Sequence, residues 1–106
     1  MNKNKLAVHY RMVAKPGRGD DIIAAYEDAG MFAIFDREPG TEQYLLSRSL
    51  DDPDVLWCHE LFSSREAFDE HRQTALTDRF VPALRELLVS SEAIMGTPVK
   101  ASGISI

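Results

Sequence analysis

The chain has 106 residues, a length that supports one domain and excludes a large two-domain enzyme. Hydrophobic residues make up 44% and charged residues 27%, as in globular rather than disordered proteins. The net charge is −5, with no cluster of basic residues beyond Lys3 and Lys5, so no nucleic-acid partner is expected. No apolar run approaches the ~18 residues of a membrane span, so we expect no membrane partner.

The only cysteine, Cys58, excludes an internal disulfide and a four-cysteine zinc site. The charged N-terminus is not followed by the apolar segment of a signal peptide. The three histidines lack HxH or HExxH spacing, so no metal site is expected. We therefore expect a cytoplasmic protein that forms a single domain over residues 1–106, with its core at about 5–101 and a C-terminal tail at 102–106.

The first half of the chain predicts a strand, a helix and a strand. Alternation of apolar and mixed residues predicts a strand over 5–14, which ends at a Pro- and Gly-containing turn at 15–19. Helical spacing of apolar residues predicts a helix from Asp20 to about Phe35, in which Gly30 is a weak point. After a Glu-Pro-Gly turn, residues 41–50 predict a second strand.

The second half begins with another strand and another helix. An Asp- and Pro-rich turn is followed by a β-type run over 55–62. Ser63 and Glu66 match the Ser-x-x-Glu capping box, which predicts that a helix begins there. The residues expected on the inner face of this helix are Ala67, Phe68, His71 and Ala75.

The end of the chain predicts a further helix and a last strand. Phe80, Leu84, Leu87 and Leu88 form an amphipathic pattern that contains Pro82, so this helix either starts near Val81 or is kinked. Residues 93–101 are apolar enough for a final strand, with a bend expected at 96–98.

The resulting order, β-α-β-β-α-β, describes a ferredoxin-like α+β sandwich with a four-stranded antiparallel sheet. Helices should cover one face of that sheet. In the third strand both faces carry large apolar groups, because Trp57 and Leu61 share one parity while Leu56 and Phe62 share the other. We therefore expect a second copy of the chain to cover the other face, forming a homodimer.

Several motifs occur in a characteristic order: the Glu-Pro-Gly turn at 38–40, a strand with Glu60 near its end, and Glu-Ala-Phe-x-x-His at 66–71. With their neighbours, over roughly residues 5–101, they resemble the antibiotic biosynthesis monooxygenase domain family. The resemblance implies a ferredoxin-like monomer whose sheets pair into a dimeric α+β barrel. The segments that carry it are Arg37–Tyr44, Arg48–Pro53, His59–His71 and Phe80–Leu84.

That family includes cofactor-independent monooxygenases of quinols, anthrones and polyketide phenols, as well as haem-degrading members and an isomerase of a phosphorylated sugar. Haem-degrading members are similar to one another in having a Trp just before the second helix and an Asn on the first strand. This chain has Phe62 and Tyr10 at those places, so haem degradation is disfavoured. Many members also carry a second His in a Ser-Pro-His segment, where this chain has Thr-Ala-Leu at 74–76. A two-histidine mechanism is therefore not expected.

A monooxygenase without cofactor needs a base, an apolar pocket and a group that stabilises the substrate anion, because the deprotonated substrate itself reduces O2. His71 is the predicted base, since it lies i+3 from Phe68 and should point at the sheet. Glu60, on the facing strand, is predicted to orient it or stabilise its charge. The predicted substrate-binding residues are Tyr10, Tyr44, Phe62, Trp57 and Arg48.

Structural roles compete with each of these assignments. An inner-face histidine is often a hydrogen-bonded structural residue, Glu60 suits an ion pair with Arg48, and parity also directs Trp57 toward a partner chain. Three functional hypotheses follow. The first is the cofactor-independent monooxygenase of a small aromatic substrate with O2. The others are a non-oxidative isomerase or cyclase of the same fold, and a non-catalytic small-molecule-binding stress protein.

Overall fold

A computed structural model describes residues 4–75 and 80–106 of the chain. Within these ranges the chain forms four strands and four helices in an α+β arrangement. The elements, in chain order, are β1 (Leu6–Ala14), α1 (Gly19–Asp28), α2 (Met31–Arg37), β2 (Thr41–Arg48), β3 (Val55–Phe62), α3 (Arg65–Ala75), α4 (Phe80–Leu87) and β4 (Leu88–Gly96).

The four strands form one antiparallel sheet in the order β2-β3-β1-β4. The two central strands are β1 and β3, and their register sets Tyr10 opposite Cys58 and His9 opposite His59. The predicted ferredoxin-like α+β fold is thereby confirmed. Because side chains alternate along a strand, this register separates an inner face, which carries Cys58 and Glu60, from an outer face, which carries His9 and His59.

The helix predicted from Asp20 to Phe35 is divided into two, and that part of the prediction was wrong. Gly30 adopts a left-handed conformation with φ of 64°, which ends α1 and provides the N-cap of α2. A residue with a side chain would be strained there, so the glycine that seemed only to weaken a helix in fact changes its direction. The turn lets Tyr26 of α1 and Phe35 of α2 both reach the core.

The helix after β3 begins one residue later than the capping-box pattern predicts. The Ser64 hydroxyl accepts a hydrogen bond from the Ala67 amide at 3.0 Å, so Ser64 rather than Ser63 is the capping residue of α3. For the next helix, the sequence predicts either a start near Val81 or a kink at Pro82, and the choice depends on residues 76–79, which lie outside the described ranges. In the described part, Phe80–Leu87, Pro82 is the third residue.

The last strand is displaced from its predicted position. Residues 93–101 were expected to form it, but β4 spans Leu88–Gly96, and Leu88 opens the strand instead of closing the helix. Gly96 ends β4, so the expected bend is the end of the strand. β4 lies at the edge of the sheet, and most of its residues are exposed, including Val89, Ile94 and Met95. Its sequence therefore does not show the clean alternation of a half-buried strand.

The core lies between the inner face of the sheet and the helices. Met12, Leu56 and Cys58 of the sheet are fully buried against Ile22 and Tyr26 of α1. Each apolar side chain of this kind stabilises the fold by about 1.5–3 kcal/mol relative to an exposed one. None of the helices in the described part of the chain is both long and apolar enough to cross a membrane.

Candidate functional site

A cavity of about 450 Å³ opens between the inner face of the sheet and helices α3 and α4. Its volume lies within the range of about 300–1,000 Å³ that is usual for small-molecule sites. Aromatic and aliphatic side chains form most of its wall, with a few polar groups among them. The lining residues are Val8, Tyr10, Tyr26, Tyr44, Glu60, Phe68, His71, Arg72, Phe80, Val81, Leu84, Arg85, Leu88, Ser91, Ala93 and Met95.

His71 reaches this cavity from the inner face of α3. The residue is only 5% exposed. Its imidazole packs between the rings of Phe35 and Phe62, with centroid distances of 4.7 Å and 4.9 Å. Contacts on two sides restrict the rotation of the ring, and therefore its two nitrogen atoms have defined neighbours.

One of these neighbours is Glu38, which follows α2 directly. The Nδ1 atom of His71 lies 2.9 Å from Oε1 of Glu38, and that oxygen also accepts a hydrogen bond from the Thr41 hydroxyl at 2.9 Å. A carboxylate can only accept, so the contact assigns the imidazole proton to Nδ1 and leaves Nε2 able to take a proton. Pro39 restricts the preceding residue to extended conformations, and Glu38 is extended, with φ of −83° and ψ of 113°.

The second neighbour is Glu60 of β3, on the cavity side of the imidazole. Its Oε1 atom lies 3.8 Å from Nε2 of His71, too far for a hydrogen bond. Glu60 is 7% exposed, and burial raises the pKa of its carboxyl from 4.5 to about 8, while the Tyr44 hydroxyl acts more weakly in the opposite direction. Near neutral pH the raised pKa of Glu60 therefore leaves a largely protonated carboxyl beside the imidazole.

Tyrosine side chains form the polar floor of the cavity. Burial raises the pKa of both Tyr26 and Tyr44 well above 10, so both remain protonated. The Tyr26 hydroxyl lies 3.5 Å from the Cys58 sulfur, and burial raises the pKa of that thiol to about 12. Tyr44 packs against Phe35 with a centroid distance of 4.0 Å. These groups can donate hydrogen bonds but do not supply charge.

The structure brings together four of the seven predicted site residues at the cavity wall. They are Tyr10, Tyr44, Glu60 and His71. Phe62 lies behind the wall, where it is fully buried against His71 and Phe68.

The other two predicted residues lie outside the cavity lining. Trp57 is on the outer face of the sheet, where its ring stacks on His9 at a centroid distance of 6.3 Å. Arg48, at the end of β2, forms an ion pair with Asp20 at 2.6 Å. The structural partner suggested for Glu60 is therefore engaged elsewhere.

Sequence reasoning missed Glu38 as a site residue. The Glu-Pro-Gly motif predicts a turn and contributes to the family resemblance, but it also supplies a carboxylate next to a conformation-restricting proline. Glu38 and His71 are 33 residues apart, so no local spacing connects them. No group of three or more His, Cys, Asp or Glu side chains that could hold a metal ion occurs among residues 4–75 and 80–106.

Comparisons with known proteins agree with this architecture. The profile of the family described as antibiotic biosynthesis monooxygenase matches residues 6–90. The fold is similar to that of protein SO0527 from Shewanella oneidensis, with 28% identity, a TM-score of 0.80, and coverage of 94% of this chain and 96% of that one. No curated protein matches the chain.

Two further solved structures show the same fold at lower identity. A candidate antibiotic biosynthesis monooxygenase from Chloroflexus aurantiacus is 24% identical, with a TM-score of 0.77 and coverage of 95% of this chain and 99% of that one. Another candidate from Bacteroides thetaiotaomicron is 17% identical, with a TM-score of 0.82 and coverage of 100% and 99%.

Proposed function

Since the chain belongs to the antibiotic biosynthesis monooxygenase family, we propose that the protein is a cofactor-independent monooxygenase of a small aromatic quinol, anthrone or polyketide phenol. The observation that carries the proposal is the combination of a mostly apolar cavity with a buried histidine whose Nδ1 atom is held by a carboxylate. Such a cavity accepts a planar ring, and such a histidine suits proton abstraction from it.

In the proposed reaction, Nε2 of His71 removes a proton from the hydroxyl or activated methylene group of the substrate. Glu38 stabilises the imidazolium that forms, as an orienting carboxylate does beside other catalytic histidines. The protonated carboxyl of Glu60 and the Tyr44 hydroxyl are placed to donate hydrogen bonds to the developing oxyanion.

The substrate anion then supplies the electrons that O2 requires. For an anthrone, the methylene carbon becomes a carbonyl by gaining one oxygen atom, and the second oxygen atom leaves as water together with the two methylene hydrogens. The substrate loses four electrons and O2 gains four, so no external reductant enters the balance. The residues named above move the proton and stabilise charge, while the redox chemistry belongs to the substrate and O2.

Oxygen uptake in the presence of a panel of quinols and anthrones tests this proposal. We expect at least one of them to be consumed faster with the protein than in buffer alone, with catalase and superoxide dismutase present to remove products of autoxidation. The oxygenated product should contain one atom of ¹⁸O from labelled O2. If no substrate in the panel is consumed faster than in buffer, the monooxygenase proposal fails.

A non-oxidative isomerase or cyclase is the second candidate, favoured by the acid and base placed side by side. Glu60 and Nε2 of His71 are 3.8 Å apart, a spacing that suits the transfer of a proton from one carbon of a substrate to another without O2. Turnover that continues unchanged under strict anaerobic conditions would support this candidate over the first.

We also propose that two copies of the chain pair through the outer face of the sheet. That face carries exposed Leu45 and Ile94 beside half-buried Trp57. Exposed apolar side chains grouped on one sheet face among polar ones are typical of protein interfaces. Analytical ultracentrifugation should give the mass of a dimer, and Leu45→Asp should shift it to a monomer. Leu50→Asp, at an exposed turn, is the matched control and should remain a dimer.

A further inference from the structure

The cavity carries two cationic side chains that the proposed chemistry does not use. Arg72 follows His71 on α3, and Arg85 lies on α4. Both side chains line the cavity, and both residues are exposed. An exposed residue that also lines a cavity lies near its opening, so Arg72 and Arg85 belong to the solvent-facing part of the cavity wall.

These two arginines, like Arg11 and Arg37, lack the ion pair with a carboxylate that other described arginines form. Arg18, Arg48 and Arg65 each form an ion pair with an aspartate. In the described ranges, no carboxylate lies within ion-pair distance of Arg72 or Arg85. The guanidinium of Arg72 lies 5.7 Å from the centroid of the Phe68 ring, a cation–π contact that Arg65 also makes, and Phe68 is itself a lining residue of the cavity.

The two arginines are positive groups in a protein that is negatively charged overall. The chain carries a net charge of −5, which on average repels an anionic ligand. Glu60 is the one carboxyl group among the described lining residues, and with a pKa of about 8 it is largely neutral at pH 7. The charge of the two guanidinium groups is therefore not balanced from within the cavity.

We propose that Arg72 and Arg85 form an anion-binding pair, and that the cavity takes a planar phenol that carries a carboxylate. The phenol hydroxyl lies toward His71 and Glu60, the ring lies against the aromatic wall, and the carboxylate meets the guanidinium groups at the opening. Arginine suits this role because its planar fork matches the two oxygen atoms of a carboxylate. This inference rests on the proposed function, since it specifies the substrate class of the same site.

Calorimetric binding of three air-stable probes tests the inference without any need for turnover. The probes are a naphthol, the hydroxynaphthoate that carries a carboxylate at the opposite end of the same ring system, and the methyl ester of that acid. The ester matches the acid in size but has no charge. We expect the native protein to bind the acid about 10-fold more tightly than the ester, as charge-assisted hydrogen bonds at a partly exposed site allow.

The double variant Arg72→Gln, Arg85→Gln should bind the acid and the ester equally, with the affinity for the ester unchanged. Each single variant should lose about 3-fold in affinity for the acid, which keeps the test valid if the double variant does not fold. Arg18→Gln removes the same charge outside this cavity and should keep the full preference for the acid.

Equal binding of acid and ester by the native protein would overturn the inference. A preference for the acid that survives the double substitution would also overturn it. A preference that is lost in Arg18→Gln would overturn it too, because the long-range electrostatic field of the protein would then be responsible. Failure of all three probes to bind also overturns it. Oxygen uptake plays no part in these results, so the proposed oxygenase activity and the proposed anion site can fail separately.

Discussion

Histidines lie on the two sides of the sheet in opposite settings: His71 of α3 faces the inner side, and His9 and His59 belong to the outer face. On the inner face, buried His71 lies between the carboxyl groups of Glu38 and Glu60. On the outer face, His9 and His59 lie opposite each other on neighbouring strands, with ring centroids 4.6 Å apart and no carboxylate within ion-pair distance among the described residues. A histidine is suited to acid–base chemistry by burial and by an orienting carboxylate, and only the inner face supplies both.

Removal of the inner histidine, His71, is expected to have the largest effect on activity. His71→Ala should lower kcat/KM for the oxidised substrate by about 100-fold or more, because a positioned general base contributes about 10²–10⁴-fold. His59→Ala should stay within about 2-fold of the native rate, since no carboxylate of residues 4–75 or 80–106 lies within ion-pair distance of that histidine. Initial rates of oxygen uptake measure both. Equal losses in the two variants would contradict the distinction between the faces.

The orienting carboxylate should give the next largest effect. Glu38→Gln keeps the size of the side chain but removes the charge that stabilises an imidazolium, so we expect kcat to fall by about 10–100-fold while KM changes little. Glu42→Gln is the matched control, because that carboxylate is paired with Lys5 outside the cavity lining. The separate values of kcat and KM distinguish positioning from general damage: Glu38→Gln should lower kcat alone, and Glu42→Gln should leave both at the native values.

How far the sequence predicted this site depends on whether local spacing determines each contact. The position of His71 followed from helical spacing relative to Phe68, and Glu60 has the strand parity opposite to that of Trp57, which parity directs toward a partner chain. Both rules act over a few residues, so the pattern alone was sufficient. The contact of His71 with Glu38 joins α3 to the end of α2, elements that are brought together by tertiary packing, and no periodicity encodes it.

The displacement of the final strand from its predicted position also has a non-local cause. β4 pairs with β1 at the edge of the sheet, and backbone hydrogen bonds hold it there even though most of its side chains are exposed. The polar run Ser90, Ser91, Glu92 therefore looks like a loop in the sequence while it is in fact paired with Val13, Met12 and Arg11. Hydrophobic alternation identifies strands that bury a face, and an edge strand with little burial escapes it.

Two glycines have close neighbours, one near the site and one far from it, so their substitutions show whether tight packing near His71 matters for activity. A Cβ atom on Gly40 would lie 2.3 Å from the Cβ atom of Ala67, one turn before His71 on α3, whereas one on Gly19 would lie 2.0 Å from the Pro53 carbonyl oxygen. Either substitution to alanine forces backbone to move, and we expect each to cost about 3 kcal/mol of unfolding free energy.

Activity should separate the two variants even though their stabilities are similar. Gly40→Ala displaces α3 and with it the imidazole relative to Glu38, so kcat should fall as well. Gly19→Ala should retain the native rate once the folded fraction, measured by chemical denaturation, is taken into account. A full rate in folded Gly40→Ala would show that the geometry around His71 tolerates movement of its helix.

The smallest effect expected is the pH dependence of stability that comes from the inner face. The pKa of Glu60 in the fold, about 8, lies above its ordinary value, so its contribution to folding is fully present at acid pH and is lost as the pH rises toward 8. Between about pH 6 and about pH 8 we expect the unfolding free energy of the native protein to fall by about 1 kcal/mol per pH unit relative to Glu60→Gln, which cannot ionise. Glu42→Gln, by contrast, should follow the native protein throughout, because its carboxylate is paired and more exposed. Denaturation curves at several pH values measure this difference. If the unfolding free energies of the native protein and Glu60→Gln changed in parallel with pH, the buried carboxyl would be ionised in the fold. It could then not act as the hydrogen-bond donor that the proposed mechanism requires.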